Sequence, residues 1–225
     1  MSQPGLPAHL HGAGDTEEAQ VTTVTDSGRA TTGAAPAPIR RVREVPVFRS
    51  RFGTLFNDDV VAPSGATGQH LRWQARKEGA VIVPVGPAGY AFVTSYRYPI
   101  QSASVEFPRG SSEGEEGLAA AAVRELREET GLVCASPRPL GVIHADTGIL
   151  AAPIRVYVAE VDMATAGPAE PEAMESLTEP VWVTPGELPE WLAEGRITCG
   201  ITLAALALHQ ARHPAPADIR TGGRP

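Results

Sequence analysis

Three glutamates at positions 125, 128 and 129, an arginine at 124 and glycines at 110 and 131 are the residues whose types and spacing point to chemistry. On a helix, Glu125, Glu128 and Glu129 fall at i, i+3 and i+4, where neighbouring Cβ atoms lie about 5–6 Å apart. Each like-charged pair costs roughly 0.2–0.5 kcal/mol on an exposed helix, and the cost grows in a cleft where the effective dielectric falls. A cation must offset it. Arg124, four residues before Glu128, can pair with that carboxylate, but one guanidinium does not neutralise three. Hard oxygen donors with no His or Cys beside them select Mg²⁺, or Mn²⁺, over zinc or copper. Gly110 lets a loop backbone pass close to the ions, and Gly131 suits the left-handed residue that ends a helix.

The elements that must position these groups can be read from periodicity. Ala119, Ala122, Val123 and Leu126 fall at i, i+3, i+4 and i+7, a narrow apolar stripe suited to lie on a sheet, with the glutamates on roughly the opposite side. Upstream, residues 45–51, 54–62 and 69–76 predict three strands, with a turn at Pro63-Ser64-Gly65. A hairpin follows, residues 80–85 and 90–96 around Gly86-Pro87-Ala88-Gly89. Residues 140–144, 154–161 and 181–184 predict further strands, residues 187–194 a short helix ending at Gly195, and residues 203–212 a last helix. Strands interleaved with few helices, without regular βαβ alternation, predict an α/β fold with a mixed sheet between helical layers. The expected organisation is a disordered tail over residues 1–41, a small N-terminal β-sheet element over 42–78, a main domain over 79–213 and a flexible C-terminal tail over 214–225. Residues 164–173, rich in Ala, Pro and Glu, predict a mobile loop.

The chain has 225 residues, a mass of 23.6 kDa and a formal net charge of −7. That charge argues against nucleic acid or an anionic membrane as a main partner, since both reward clustered Lys and Arg. Neither a secretory signal nor a transmembrane run is present, so the protein is expected to be cytoplasmic. Cys134 and Cys199 form no disulfide framework and lack metal-site spacing, and both are expected to be reduced structural thiols.

Gly110, Glu116, Arg124-Glu125-Leu126, Glu128-Glu129 and Gly131-Leu132 match every fixed position of the Nudix hydrolase signature. Over roughly residues 45 to 210 the chain resembles that family, and within it the ADP-ribose pyrophosphatase branch. A merely solvated acidic helix face is the competing explanation, and nine placed residues argue against it. Outside the box, Tyr96-Arg97-Tyr98-Pro99 and Val105-Glu106-Phe107-Pro108-Arg109-Gly110 resemble further segments of the branch, as does Trp191–Ile197 with the helix after it.

The resemblance implies an α/β/α sandwich and the following roles. Glu125, Glu128 and Glu129 would bind metal with the main-chain carbonyl of Arg109. Arg97 and Glu106 would contact substrate phosphate or ribose, or hold the metal ligands in place. Trp73 would lie against the nucleobase, often donated in this branch by the partner of a domain-swapped homodimer. A glutamate on the loop after the box would accept the proton of the attacking water; Glu170, Glu172, Glu175 and Glu179 compete, with Glu175 first and Glu179 second from their distance to Val181-Trp182-Val183. Two departures bear on substrate choice: Arg109 stands where the branch has alanine, and residues 144–150 replace a proline-glycine-rich loop. The implied function is Mg²⁺-dependent cleavage of ADP-ribose or a related nucleoside diphosphate sugar into a nucleoside monophosphate and a sugar phosphate. The alternatives are the same chemistry on a UDP- or GDP-sugar or other nucleotide, and a non-catalytic domain that senses nucleotides.

Overall fold

The computed structural model describes residues 35–213; the tail expected over 214–225, and residues 1–34 of the tail expected over 1–41, lie outside them. The N-terminal element is a sheet built on the long hairpin of β3 (Gly53–Val61) and β4 (Thr67–Ala75), in register from Gly53↔Ala75 to Val61↔Thr67. Two short strands, β1 (Arg40–Arg43) and β2 (Pro46–Arg49), pair with β3 along its other edge. The strand predicted over 45–51 is β2, and a strand that was not predicted, β1, precedes it across a break at Glu44-Val45, beginning at residues assigned to the tail. Pro46 has no N–H for a ladder, and at the break the Val45 amide donates to the buried Asp58 carboxylate instead, at 3.2 Å.

The rest of the chain forms a seven-stranded mixed sheet. Its members are β5 (Gly79–Gly86), β6 (Gly89–Arg97), β7 (Ser102–Glu106), β8 (Arg109–Ser111), β9 (Arg138–His144), β11 (Pro153–Glu160) and β12 (Val181–Val183). The order is β12-β6-β5-β11-β9, with β7 beside β6 and β8 beside β5. Only β5 and β11 run parallel. A two-residue strand, β10 (Leu150–Ala151), pairs with β4 just before β11 begins, tying the N-terminal sheet to the central one.

Period-two alternation assigns each strand's side chains to two cores. Val81, Val83, Tyr90, Phe92, Val156 and Val158 face one side, with Leu188 of α2 (Leu188–Ala193) and Ala205 and Leu206 of α3 (Gly200–Arg212). Ala80, Ile82, Ala91 and Ala159 face the other, with Ala122 and Leu126 of α1 (Leu118–Thr130). The sheet is sandwiched between helices, as expected. On the α3 side, the Tyr90 hydroxyl meets His209 Nδ1 at 3.2 Å, and the Thr202 hydroxyl accepts the Phe107 amide at 3.1 Å. Among the described residues no helix is long and apolar enough to cross a membrane.

One expectation about α1 is corrected. Its buried residues are Ala121, Ala122, Glu125, Leu126, Glu129 and Thr130, and Ala119 is exposed. The acidic and apolar rows are adjacent, because Ala121, Glu125 and Glu129 stack at i, i+4 and i+8 along one line of the helix. Two glutamates therefore go under cover in the row beside the apolar one instead of on the opposite side of the helix.

Candidate functional site

The loop from β7 through β8 brings backbone up to α1. Phe107 is fully buried, its amide held by Thr202 and the next carbonyl, that of Pro108, accepting the Ile82 amide at 3.0 Å. Arg109 then donates its main-chain N–H to Glu129 Oε2 at 3.3 Å. At Gly110 any Cβ would overlap the carboxylate of Glu125. The first glycine of the motif thus leaves the space in which the Glu125 carboxylate lies, and with a Cβ there that carboxylate would have to turn away.

Glu125, Glu129 and Glu175 converge here, each offering a carboxylate oxygen within 4.8 Å of the other two. Glu125 and Glu129 are buried and Glu175 is half-buried. Burial, with Glu175 and Glu125 adding repulsion, pushes the Glu129 carboxyl up to about 8. Burial likewise raises Glu125 to about 7, against the pull of Arg124. Of the three, among the described residues, Glu125 alone forms an ion pair, with Arg124 at 3.0 Å. Three oxygen-donor acids, under-compensated and drawn out of water, fit a hard divalent cation.

Arg124 is a hub. It pairs with Glu116 at 2.9 Å and Glu128 at 2.8 Å, and donates to the Ser111 carbonyl at 2.9 Å. Glu128 is consequently held on Arg124 and stands outside the group of three, whose third member is Glu175 from the distant segment before β12. Glu106 is 2 % exposed and gripped from two sides, by Arg97 at 2.7 Å and Arg109 at 2.8 Å. Burial works against its charge, yet the two guanidinium groups hold its carboxyl below the usual range. The sequence marks the Arg109 guanidinium as a departure beside the metal loop but not its pairing with Glu106; its place three residues after Glu106 was the available signal.

Among the loop candidates, Glu170, Glu172 and Glu179 are exposed and only Glu175 reaches the cluster. Trp73 lies in β4, half-buried, its ring so close over Gly53 that a Cβ there would sit 2.7 Å from it. Its amide donates to the Ile149 carbonyl at 2.8 Å. These contacts belong to the N-terminal sheet.

The NUDIX domain family model matches residues 75–199, a span that contains β5 to β12 and the whole carboxylate cluster. The chain belongs to the Nudix family of hydrolases. This Nudix hydrolase is 32% identical over 166 residues to the CMP-5'-(N-acetyl-N-hydroxy-3-aminopropyl)phosphonate hydrolase of Streptomyces rubellomurinus, covering 72% of this chain and 78% of that one. It is 24% identical over 121 residues to the ADP-ribose pyrophosphatase of Bacillus subtilis, covering 54% of this chain and 65% of that one. The crystal structure of an ADP compounds hydrolase superposes with a TM-score of 0.69 at 20% identity, covering 80% of this chain and 96% of that one. At that identity the superposition speaks for the Nudix fold.

Proposed function

We propose that this Nudix hydrolase cleaves the anhydride bond of a nucleoside diphosphate joined to a sugar, ADP-ribose or a relative of it, releasing a nucleoside monophosphate and a sugar phosphate. The observation that carries this is the convergence of Glu125, Glu129 and Glu175 on the Gly110 cradle. Glu125 and Glu129, with the Arg109 main-chain carbonyl, would hold Mg²⁺ or Mn²⁺; Glu128, kept beside them on Arg124, is the further carboxylate available to a second ion. Such ions, when bound, offset the charge of the diphosphate and lower the pKa of the attacking water.

The protein's own part is then positional and proton-accepting. Water attacks one phosphorus, the bond from that phosphorus to the bridging oxygen breaks, and the electron pair leaves with the departing phosphate. Glu175 accepts the proton of the attacking water; Glu179, the second candidate, is exposed. Arg97 and Glu106 orient the phosphate and ribose, with Arg109 holding Glu106 from the other side. Trp73 supplies a face for the nucleobase, contributed between the two chains of a homodimer.

A second reading is favoured by the Streptomyces relative, whose name places a phosphonate where a sugar phosphate would stand: hydrolysis of a nucleotide–phosphonate anhydride by the same site. The deciding experiment incubates the enzyme with ADP-, UDP- and GDP-sugars, a CMP-phosphonate, dinucleotides and nucleoside triphosphates, each with Mg²⁺ or Mn²⁺, and identifies the products. ADP-ribose turnover to AMP and ribose 5-phosphate is expected, lost with chelator, and Trp73→Ala should raise KM severalfold. Binding of nucleotide sugars without turnover of any of them would make the protein a sensor.

A further inference from the structure

Glu175 is delivered to the cluster by a segment with little regular structure. Between β11 and β12, residues 162–180 hold one 3-10 turn (Met163–Thr165) and a single bridge, Leu177 with Ser95. Yet both flanks of this strap are tied by main-chain bonds. On one side, the Gly167 N–H donates to the Gly131 carbonyl at 2.8 Å and the Glu170 N–H to the Glu128 carbonyl at 2.8 Å. On the other, the Ser176 carbonyl accepts the Tyr96 N–H at 3.0 Å, and the Thr178 N–H donates to the Thr94 carbonyl at 3.0 Å. Between the ties, Glu172 and Glu175 close a tight turn on each other, with N–H to carbonyl at 2.9 Å and N–H to carboxylate at 3.1 Å.

Gly131 is the seat of the first tie, and it has two separate properties. Its φ of +70 is what a left-handed helix end needs, and asparagine can supply that too. It also has no room for a side chain: a Cβ there would overlap the Gly167 carbonyl oxygen and sit 3.2 Å from the Pro168 carbonyl carbon. Ending a helix does not require the second property. Laying another backbone directly on the helix end does.

We propose that Gly131 is a positioning residue for Glu175: by lacking a side chain it seats the strap on the last turn of α1 and so fixes Glu175 against Glu125 and Glu129, a role that rests on the reading of Glu175 given above. The helix that carries two carboxylates thereby also sets the place of the third. Any side chain at 131, even one content with a positive φ, lifts the strap and withdraws Glu175.

The test compares Glu175→Gln, Gly131→Ala, Gly131→Asn, Gly131→Ala/Glu175→Gln and Thr178→Pro with wild type. Each is assayed with Mg²⁺ on the best nucleotide sugar, and each metal-free protein is followed by amide hydrogen exchange, which reports local opening. Glu175→Gln should lose roughly 100-fold in turnover, the lower range for a lost general base. Both Gly131 variants should lose at least roughly 10-fold in turnover with little change in KM, the pattern of an interaction made in the transition state. Their strap amides, 167–178, should exchange faster while those of α1 stay protected. The double variant should be no slower than Glu175→Gln alone, because one effect acts through the other.

If Gly131→Ala damages the helix itself, Gly131→Asn, which accepts the positive φ, carries the test of the seat, and Thr178→Pro tests whether the strap holds Glu175 at all. It removes the N–H of the far tie, away from α1, and should show the same turnover loss and the same faster exchange. Wild-type turnover and protection in the Gly131 variants, with Glu175→Gln impaired, would overturn the seat and leave Glu175 in its role. Losses that multiply in the double variant would also overturn it. Normal turnover of Glu175→Gln would remove Glu175 from the mechanism and the seat along with it.

Discussion

At the scale of single residues, the spacing Glu125, Glu128, Glu129 announced a cation site, but not which two of the three would be drawn under cover. Spacing gives neighbours on one helix; burial is decided by what the helix packs against, and here the row Ala121, Glu125, Glu129 turns inward. Glu175, 46 positions after Glu129, is first among the loop glutamates that the family resemblance offers, and the fold brings it to Glu125 and Glu129. Glu129 shows the energetic consequence. Its folded-state pKa, about 8, lies above the ordinary carboxylate value of 4.5, so between those limits the folded chain binds more protons than the unfolded one and stability falls as pH rises. Metal-free protein should therefore lose melting temperature from pH 5 to pH 8.5, and Mg²⁺ should restore it, more at the upper end. Glu129→Gln, neutral at both pH values, should abolish turnover yet melt about 2–4 °C higher than metal-free wild type at pH 8.5, the shift that 1 kcal/mol gives in a domain of this size, and not at pH 5. Calorimetry at the two pH values checks this; equal melting of the two proteins at pH 8.5 would show that the Glu129 charge carries no burial cost.

At the scale of elements, what was legible followed from strong periodicity or strong punctuation. The strands of the β5–β6 hairpin and the end of α1 at Gly131 match their expected positions within a residue, because apolar runs and glycines bound them. The strands β7 and β8 were not seen: Ser102-Ala103-Ser104-Val105-Glu106 carries one large apolar residue, and β8 is three residues long. Pairing along β6 and β5, not their own composition, makes these strands. Yet they carry Glu106 and Arg109 and lead the chain to Gly110, so the least legible elements position half of the site. Gly110 gives the prediction at this scale. Gly110→Ala places a methyl where the Glu125 carboxylate lies, so Glu125 must turn away and Mn²⁺ affinity should fall at least roughly tenfold, the low end of the loss when a ligand's support is removed. Gly117→Ala, where a Cβ meets nothing within 4 Å, should leave it within about twofold, the scatter of surface substitutions. Titration calorimetry with Mn²⁺ measures both, and unchanged affinity in Gly110→Ala would separate Glu125 from the ions.

At the scale of the whole molecule, charge and apolar surface are unevenly shared between the two sheets. Residues 40–77 hold eight basic and three acidic residues, a net +5 in a chain whose total is −7. The same stretch exposes Val42, Val47, Phe48, Phe52 and Leu71, and every residue of β1 and β2 is exposed. Exposed apolar groups on and beside short edge strands, rimmed by arginines, are costly for a lone chain and are the surface that the proposed homodimer would cover. The acidic remainder of a second copy complements this sheet in sign, which speeds encounter and fixes orientation, while the apolar residues supply the area term. The proposed homodimer therefore predicts light scattering at twice 23.6 kDa, with association slowing as salt rises. Phe48→Asp/Phe52→Asp should run as a monomer, because two carboxylates in a covered apolar patch are left unpaired. Since both positions lie outside the carboxylate cluster, the monomer should still bind Mn²⁺ like wild type. A wild-type protein that scatters as 23.6 kDa at micromolar concentration would leave the N-terminal sheet serving its own chain alone, through the β4–β10 pairing, and would make any nucleobase contact from Trp73 an intramolecular one.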